Sequence, residues 1–328
     1  MSQTAGKPAR QSRSAAPGQP ATRQLATGIA LVFTTVVIWG VQFPIAKSAF
    51  AQVDPFHLAL VRYGVPMCLL VSWLVFSEGL SSLRFDRRAG LATVVGVVGM
   101  CGSPALVFGG LAMTRPEIAA IIIAIQPVMT ALVLWGIRGK RPDAFSLACI
   151  AVAFFGVFTV ITGWSTDLGG DPRELIGNTM IALGAFCWVI YTISGERFSD
   201  WSVLRYTALT MLPGSLGHLC LVATLTFLGI VSTPSLEQWQ AVAWQTGFLI
   251  FLGVLAAMLM WNAGNKRIGS LNAMLFVNLI PVVTFVVQYW QGARFTPVEL
   301  FGAALVVAAL IANNLALRAR NRSGLEKP

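Results

Sequence analysis

The feature that most limits this chain is a series of ten apolar stretches, each long enough for one bilayer crossing: 25–46, 57–77, 89–111, 118–137, 144–163, 174–194, 205–229, 241–263, 270–290 and 297–317. Bilayer hydrocarbon is about 30 Å thick, and a helix needs about 20 apolar residues to cross it. Lipid offers the backbone no hydrogen bonds, so a chain that crosses repeatedly must satisfy its N–H and C=O groups within each segment. Short links with Gly, Pro and charged residues separate the stretches and leave no room for a soluble domain. The expected fold is an all-α integral membrane protein of ten transmembrane helices. Composition agrees, with 11% charged residues and a mean hydropathy of +0.72; a soluble domain carries about 25% charged residues.

Residues 1–24 are rich in Ser, Ala, Gln, Pro, Lys and Arg and read as a disordered tail, with a second tail at 318–328. The first apolar stretch lacks a small-residue cleavage site and further spans follow, which argues against a cleaved signal peptide. The net charge of +10 would suggest nucleic acid in a soluble protein. Here the cations sit at the tips of apolar segments, no basic stripe with interleaved aromatics lies outside them, and nucleic-acid binding is not expected. With the N-terminus inside, the inner segments hold 18 Lys and Arg and the outer segments only Lys47, Arg115, Arg173 and Arg294; Arg62, inside a span, completes the 23. Positive charge collects on the cytoplasmic side, so both termini are expected there, in the inner (plasma) membrane.

The chain repeats itself. Gly110 through Pro127 matches Gly264 through Pro281 at one offset, which also pairs Thr130 with Thr284 and Gly99 with Gly253. Earlier, Trp39 pairs with Trp188, and Pro66 with Pro213 at nearly the same offset. Each half, 25–163 and 174–317, then holds five spans. Five is odd, so the second half enters the membrane from the opposite side. Such an inverted repeat is the architecture of many secondary transporters.

Trp39-Gly40 with Phe43-Pro44 in the first span, Arg62 in the second, and Gly110-Leu-Ala, Ala119-Ala120 and Gln126-Pro127 around the fourth resemble the EamA family of the drug/metabolite transporter superfamily. The resemblance covers about residues 25–317. It implies ten helices around a central cavity and export of amino acids, other metabolites or drugs. The chain departs from the family at one point. A Glu often follows the Gly after the fourth helix there, whereas here Lys140 follows Gly139 and Ala293 follows Gly292.

Cys68, Cys101, Cys149, Cys187 and Cys220 all lie in apolar runs with no CxxC or Cys/His ligand spacing, so neither a metal nor a redox site is expected. No GxxxxGK[ST] loop, hydrolytic constellation or cofactor motif occurs. The expected cavity residues are polar or aromatic side chains at helix centres: Trp39, Gln42, Phe43, Arg62, Phe108, Gln126, Trp188, Tyr191, His218, Trp261, Asn262 and Asn278. Arg62 reads either as an anion or outer-gate contact or as a cation snorkelling to the interface. His218 lines the cavity or bonds a neighbouring helix. Any one of the Trp, Gln and Asn side chains could instead pack or bond between helices. Lys47 and Glu196 occupy equivalent span ends and read as interface or gate charges. Pro44, Pro127 and Pro281 are expected to interrupt their helices.

These features favour a secondary transporter exporting a small amphipathic solute such as an amino acid, by alternating access. A sugar phosphate would need more central cations. The competing classes are a membrane-embedded lipid-modifying enzyme, which needs clustered acids, histidines or metal, and a receptor or scaffold, which needs no inverted repeat. With no central carboxylate, proton coupling would fall to His218, Glu196 or Glu299; facilitated export is the other route. The expected partners are a small-molecule solute and membrane lipid, and a homodimer is compatible with the pattern.

Overall fold

The computed structural model describes residues 21–139, 144–162 and 171–323. Of the expected tails 1–24 and 318–328, residues 1–20 and 324–328 lie outside the described residues, as does the Lys140–Arg141 pair, while 21–24 and 318–323 are helical and extend the first and last helices. The described residues contain helices and turns and no strand. Among the described residues, eight helices are long and apolar enough to cross a membrane, and two shorter apolar helices cover Ala144–Val160 and Pro297–Ala309. The chain is therefore a multi-pass membrane protein. Phe76, Phe158, Phe227, Phe251 and Trp290 are exposed on its flanks, where lipid tails rather than water solvate them.

Helical rods run in chain order as α1 (Ala21–Ala49), α2 (Pro55–Glu78), α3 (89–113), α4 (116–138), α5 (Ala144–Thr162), α6 (Pro172–Ser194), α7 (Val203–Phe227), α8 (243–268), α9 (270–290) and α10 (Pro297–Ser323). Local sequence sets their ends. Asp54 accepts hydrogen bonds from the Phe56 and His57 amides ahead of Pro55, and Asp171 does the same for Arg173 ahead of Pro172. Gly139 closes α4 in the left-handed conformation at φ +70°, where a side chain is strained.

Four rods are not regular. α3 contains a π-helical stretch at Val97–Gly102 and α8 one at Leu249–Ala256. Gly99 and Gly253, repeat partners, sit inside them. α4 and α9 break into pieces at 124–125 and 277–278. Pro127 and Pro281 follow the breaks: proline has no N–H for the preceding turn and clashes with the carbonyl four residues back, so the helix stops ahead of it. At Pro44 the expected interruption does not occur, and α1 runs on to Ala49. The Gly40 carbonyl that Pro44 leaves without its amide accepts the Thr284 hydroxyl of α9 at 2.8 Å, so the break carries no unpaired group.

Packing follows a pattern of equivalent pairs: α1 against α8 and α6 against α3, α1 against α9 and α6 against α4, with α2 on α7 and α5 on α10. Glycine permits the closest crossings. A Cβ on Gly110 would stand 2.4 Å from the Gly177 carbonyl oxygen, and one on Gly264 3.0 Å from that of Gly28. Such backbone approach is how membrane helices gain van der Waals contact without a hydrophobic drive.

Candidate functional site

A cavity of about 70 Å³ lies where α1–α4 meet α6, α8 and α9. Trp39, Gln42 and Phe43 reach it from one face of α1, since residues three and four apart share a helix face. α2 contributes Arg62 and Tyr63. The last turns of α3, re-aimed after its π-helical stretch, contribute Ser103, Pro104, Val107 and Phe108. Ile123 and Gln126 flank the break in α4, and Trp188, Met258 and Ile280 close the wall from the other half.

The walls are aromatic. Trp39 and Trp188 meet edge to face at 5.2 Å between ring centroids. The Trp39 indole N–H donates to the Gly253 carbonyl at 3.1 Å, in the π-helical stretch of α8, where hydrogen bonding along the helix is already shifted. The Trp188 indole nitrogen is buried with no such acceptor. Gln126 donates to the Ala185 carbonyl at 3.3 Å.

One charge stands among these groups. Arg62 is 3% exposed. Its Nη2 donates to Gln42 Oε1 at 3.1 Å, and its guanidinium carbon lies 4.1 Å over the Phe108 ring. Nε and Nη1 have no acceptor. Among the described residues, no carboxylate lines the cavity. A cation fixed by a glutamine and an aromatic face, with two donors unused, can take an anion in the plane of its guanidinium. Its burial also separates the sequence alternatives: Arg62 points into the protein and does not snorkel to the interface.

A family model described as the EamA-like transporter family matches residues 26–162 and again 175–315. The chain belongs to that family. It is 33% identical over 298 residues to "Uncharacterized transporter YrdR" of Bacillus subtilis, covering 89% of this chain and 92% of that one. It is 21% identical to a "Probable amino-acid metabolite efflux pump" of Escherichia coli, over 88% of this chain and 95% of the relative. To a "Probable terminal-alkyne amino-acid exporter" of Streptantibioticus cattleyicolor it is 23% identical, over 91% and 97%. A solved crystal structure superposes with a TM-score of 0.64 over 90% of this chain and 99% of that one, at 22% identity, which speaks for the fold.

Seven of the twelve sequence-expected residues in this EamA-family chain line the cavity: Trp39, Gln42, Phe43, Arg62, Phe108, Gln126 and Trp188. The other five do not. Trp261 lies behind the tryptophan pair, 5.0 Å from the Trp39 ring, and donates to Thr192 Oγ1 at 3.3 Å. Tyr191 packs on Trp188 at 5.1 Å. Asn262 donates to Tyr191 Oη and Thr207 Oγ1, both at 2.9 Å. Asn265 and Ser270 both donate to the Thr192 carbonyl at 3.3 Å, so this layer ties α6, α7, α8 and α9 together. Beyond it lies a second cavity of about 250 Å³, bordered by Glu196, Trp201, Tyr206, Asn262 and Lys266 at the Lys/Arg-rich end. His218 stacks on Tyr63 at 5.3 Å, and its Nδ1 donates to the Gly214 carbonyl of its own helix at 3.2 Å, instead of bonding a neighbour. Asn278 is buried at the α9 break with its amide unpartnered.

Tyr63, Ser103, Pro104, Val107, Ile123, Met258 and Ile280 line the cavity without having stood out in the sequence. The apolar ones have the pattern of any packed helix face. Tyr63, beside Arg62, carried the clearest available signal. At the ends, Lys47 donates to the Leu111, Ala112 and Thr114 carbonyls at 2.8, 3.1 and 2.9 Å, a cation at the negative end of α3. Arg115 reaches Glu299 at 2.7 Å and Glu117 at 3.3 Å. At the opposite end Arg88 pairs with exposed Asp200, whose carboxyl its hydrogen bond holds below the usual carboxylate range, and Arg205 pairs with Asp86 at 2.8 Å.

Proposed function

We propose that this protein is an inner-membrane exporter of a small amphipathic metabolite, an amino acid or a similar solute, that works by alternating access. In this reading ten spans form two inverted five-helix repeats, 25–163 and 174–317, with both termini cytoplasmic and the solute held between the halves. The observation that carries it is the cavity itself. It is lined from both halves, aromatic on its walls, and holds one buried arginine with free donors. Apolar walls with a few polar anchors suit a solute with an apolar body and a charged head. The two family-matched stretches, the paired π-helical stretches and the matching α4 and α9 breaks support the repeat. The names of the efflux-pump and exporter relatives support the direction.

The cavity is far smaller than the roughly 300–1,000 Å³ of sites that enclose drug-sized ligands, so the halves must part to admit solute. The hydrogen-bonded layer around Asn262 closes the path toward the Lys/Arg-rich end, and the second cavity is the vestibule below it. Cells overexpressing the protein test this reading by metabolite comparison of medium with cytosol. A solute enriched in the medium, and not in cells carrying Arg62→Gln expressed to the same level, is expected. Identical medium profiles with and without the protein would contradict it.

A further inference from the structure

The chemistry of the cavity discriminates among amphipathic solutes. Arg62 is a full charge buried away from water at the junction of the helices, and a cation there is costly unless compensated. Gln42 supplies a neutral acceptor to one of its nitrogens, and Phe108 a ring face. Neither neutralises it. Nε and Nη1 are both left without an acceptor. The Trp188 indole N–H, on the same cavity, awaits another. Each fully buried side-chain polar atom of the cavity wall that lacks a partner is thus a donor. An ammonium group would find there no carboxylate and a neighbouring cation, in a medium where like charges repel strongly.

We propose that the solute bound in this cavity is a monoanionic carboxylate with an aromatic or apolar body, its carboxylate held by Arg62 through a donor that the protein leaves unpartnered, with the Trp188 indole N–H as a further donor, in preference to the zwitterionic amino acid of the same skeleton. The inference rests on the transporter reading above and narrows its substrate class. A carboxylate brings the site to zero net charge. A zwitterion leaves it at the charge of Arg62. The edge-to-face tryptophans and Phe108 pack the body.

One probe set shares a skeleton: hydrocinnamate, its neutral amide hydrocinnamide, phenylalanine and phenethylamine. Each is titrated against purified wild-type protein by tryptophan fluorescence and then offered in proteoliposome counterflow. A charged hydrogen bond is worth about ten- to a hundredfold in affinity, so hydrocinnamate is expected to bind at least about tenfold more tightly than the other three. Arg62→Gln should remove its advantage over hydrocinnamide. Arg62→Lys, which keeps the charge and loses the fork, should keep part of it. Phenylalanine binding as tightly as hydrocinnamate, absent binding across the set, or an unchanged carboxylate-to-amide ratio in Arg62→Gln overturns the proposal. Exchange of solutes from a cell extract without carboxylate preference refutes this inference and leaves transport standing. Tight hydrocinnamate binding with no exchange of any solute upholds the carboxylate site and refutes transport.

Discussion

Replacing Asn262 by leucine would open the layer that closes the cavity toward the Lys/Arg-rich end. The side chain is 5% exposed and spends both amide protons on other helices, one on Tyr191 of α6 and one on Thr207 of α7, each at 2.9 Å. Leucine has the same number and branching of side-chain heavy atoms, so the outline of the side chain is largely kept while the two bonds are lost. Interhelical hydrogen bonds in membranes average about 0.6 kcal/mol and reach about 1.7. Two of them are therefore worth about 1–3 kcal/mol of closure, or about a 5- to 150-fold shift toward the form open at that end. Cysteine introduced at Trp188 or Met258, which face the cavity, reports the shift through its labelling rate from the Lys/Arg-rich side. Labelling should accelerate by at least about fivefold in Asn262→Leu, with secondary structure and expression retained. An unchanged rate would mean that the Asn262 layer packs the helices without gating them.

Thr284→Val leaves the Gly40 carbonyl without its donor and should lower thermal stability by about 1 kcal/mol, read as a fall in Tm in detergent, while solute affinity holds. Gly110→Ala and Gly264→Ala place a Cβ against backbone at matching crossings, each costing about 1–3 kcal/mol of overpacking; equal wild-type stability in both would refute the close-approach argument. Cysteines near residues 85, 198 and 267 should label only from the cytoplasm and those near 52 and 234 only from outside, and the reverse pattern would overturn the orientation. A carboxylate leaving uncoupled moves its charge down a potential worth about 2.3 kcal/mol per 100 mV. An imposed potential, negative on the solute side, should therefore speed efflux from proteoliposomes, and indifference to the potential would show that another ion accompanies the solute.

Eight of the apolar stretches meet helices long and apolar enough to span, because span length is set by hydrocarbon thickness, which sequence reports directly. The 174–194 stretch is observed as Pro172–Ser194, its start fixed by the Asp171 cap and its end passing into a 3-10 turn at Gly195–Phe198. Trp39, Gln42 and Phe43 were legible as one helix face from their spacing, and Arg62 from being the one cation within a span. What hydropathy does not encode is the hydrogen-bond register along a rod. The π-helical stretches at Val97–Gly102 and Leu249–Ala256 read as ordinary apolar helix, although they decide where Phe108 and the Gly253 carbonyl point. Pro44 read as a break because its compensating donor, Thr284, lies 244 residues beyond Gly40. Trp188 and Tyr191 share a face, yet only Trp188 reaches the cavity; depth toward one end of a helix is decided by the tilt of its neighbours.

The central claim is that solute crosses between the two halves through the cavity holding Arg62 and the Trp39–Trp188 pair. Counterflow in proteoliposomes tests it most directly, with double-cysteine protein (Trp39→Cys, Trp188→Cys) compared before and after bridging by a short thiol cross-linker. These rings stand 5.2 Å apart on opposite halves. The account predicts that the exchange the double-cysteine protein retains without its two indole contacts stops on cross-linking and resumes when the bridge is reduced. Exchange that continues at the same rate through fully cross-linked protein would contradict it.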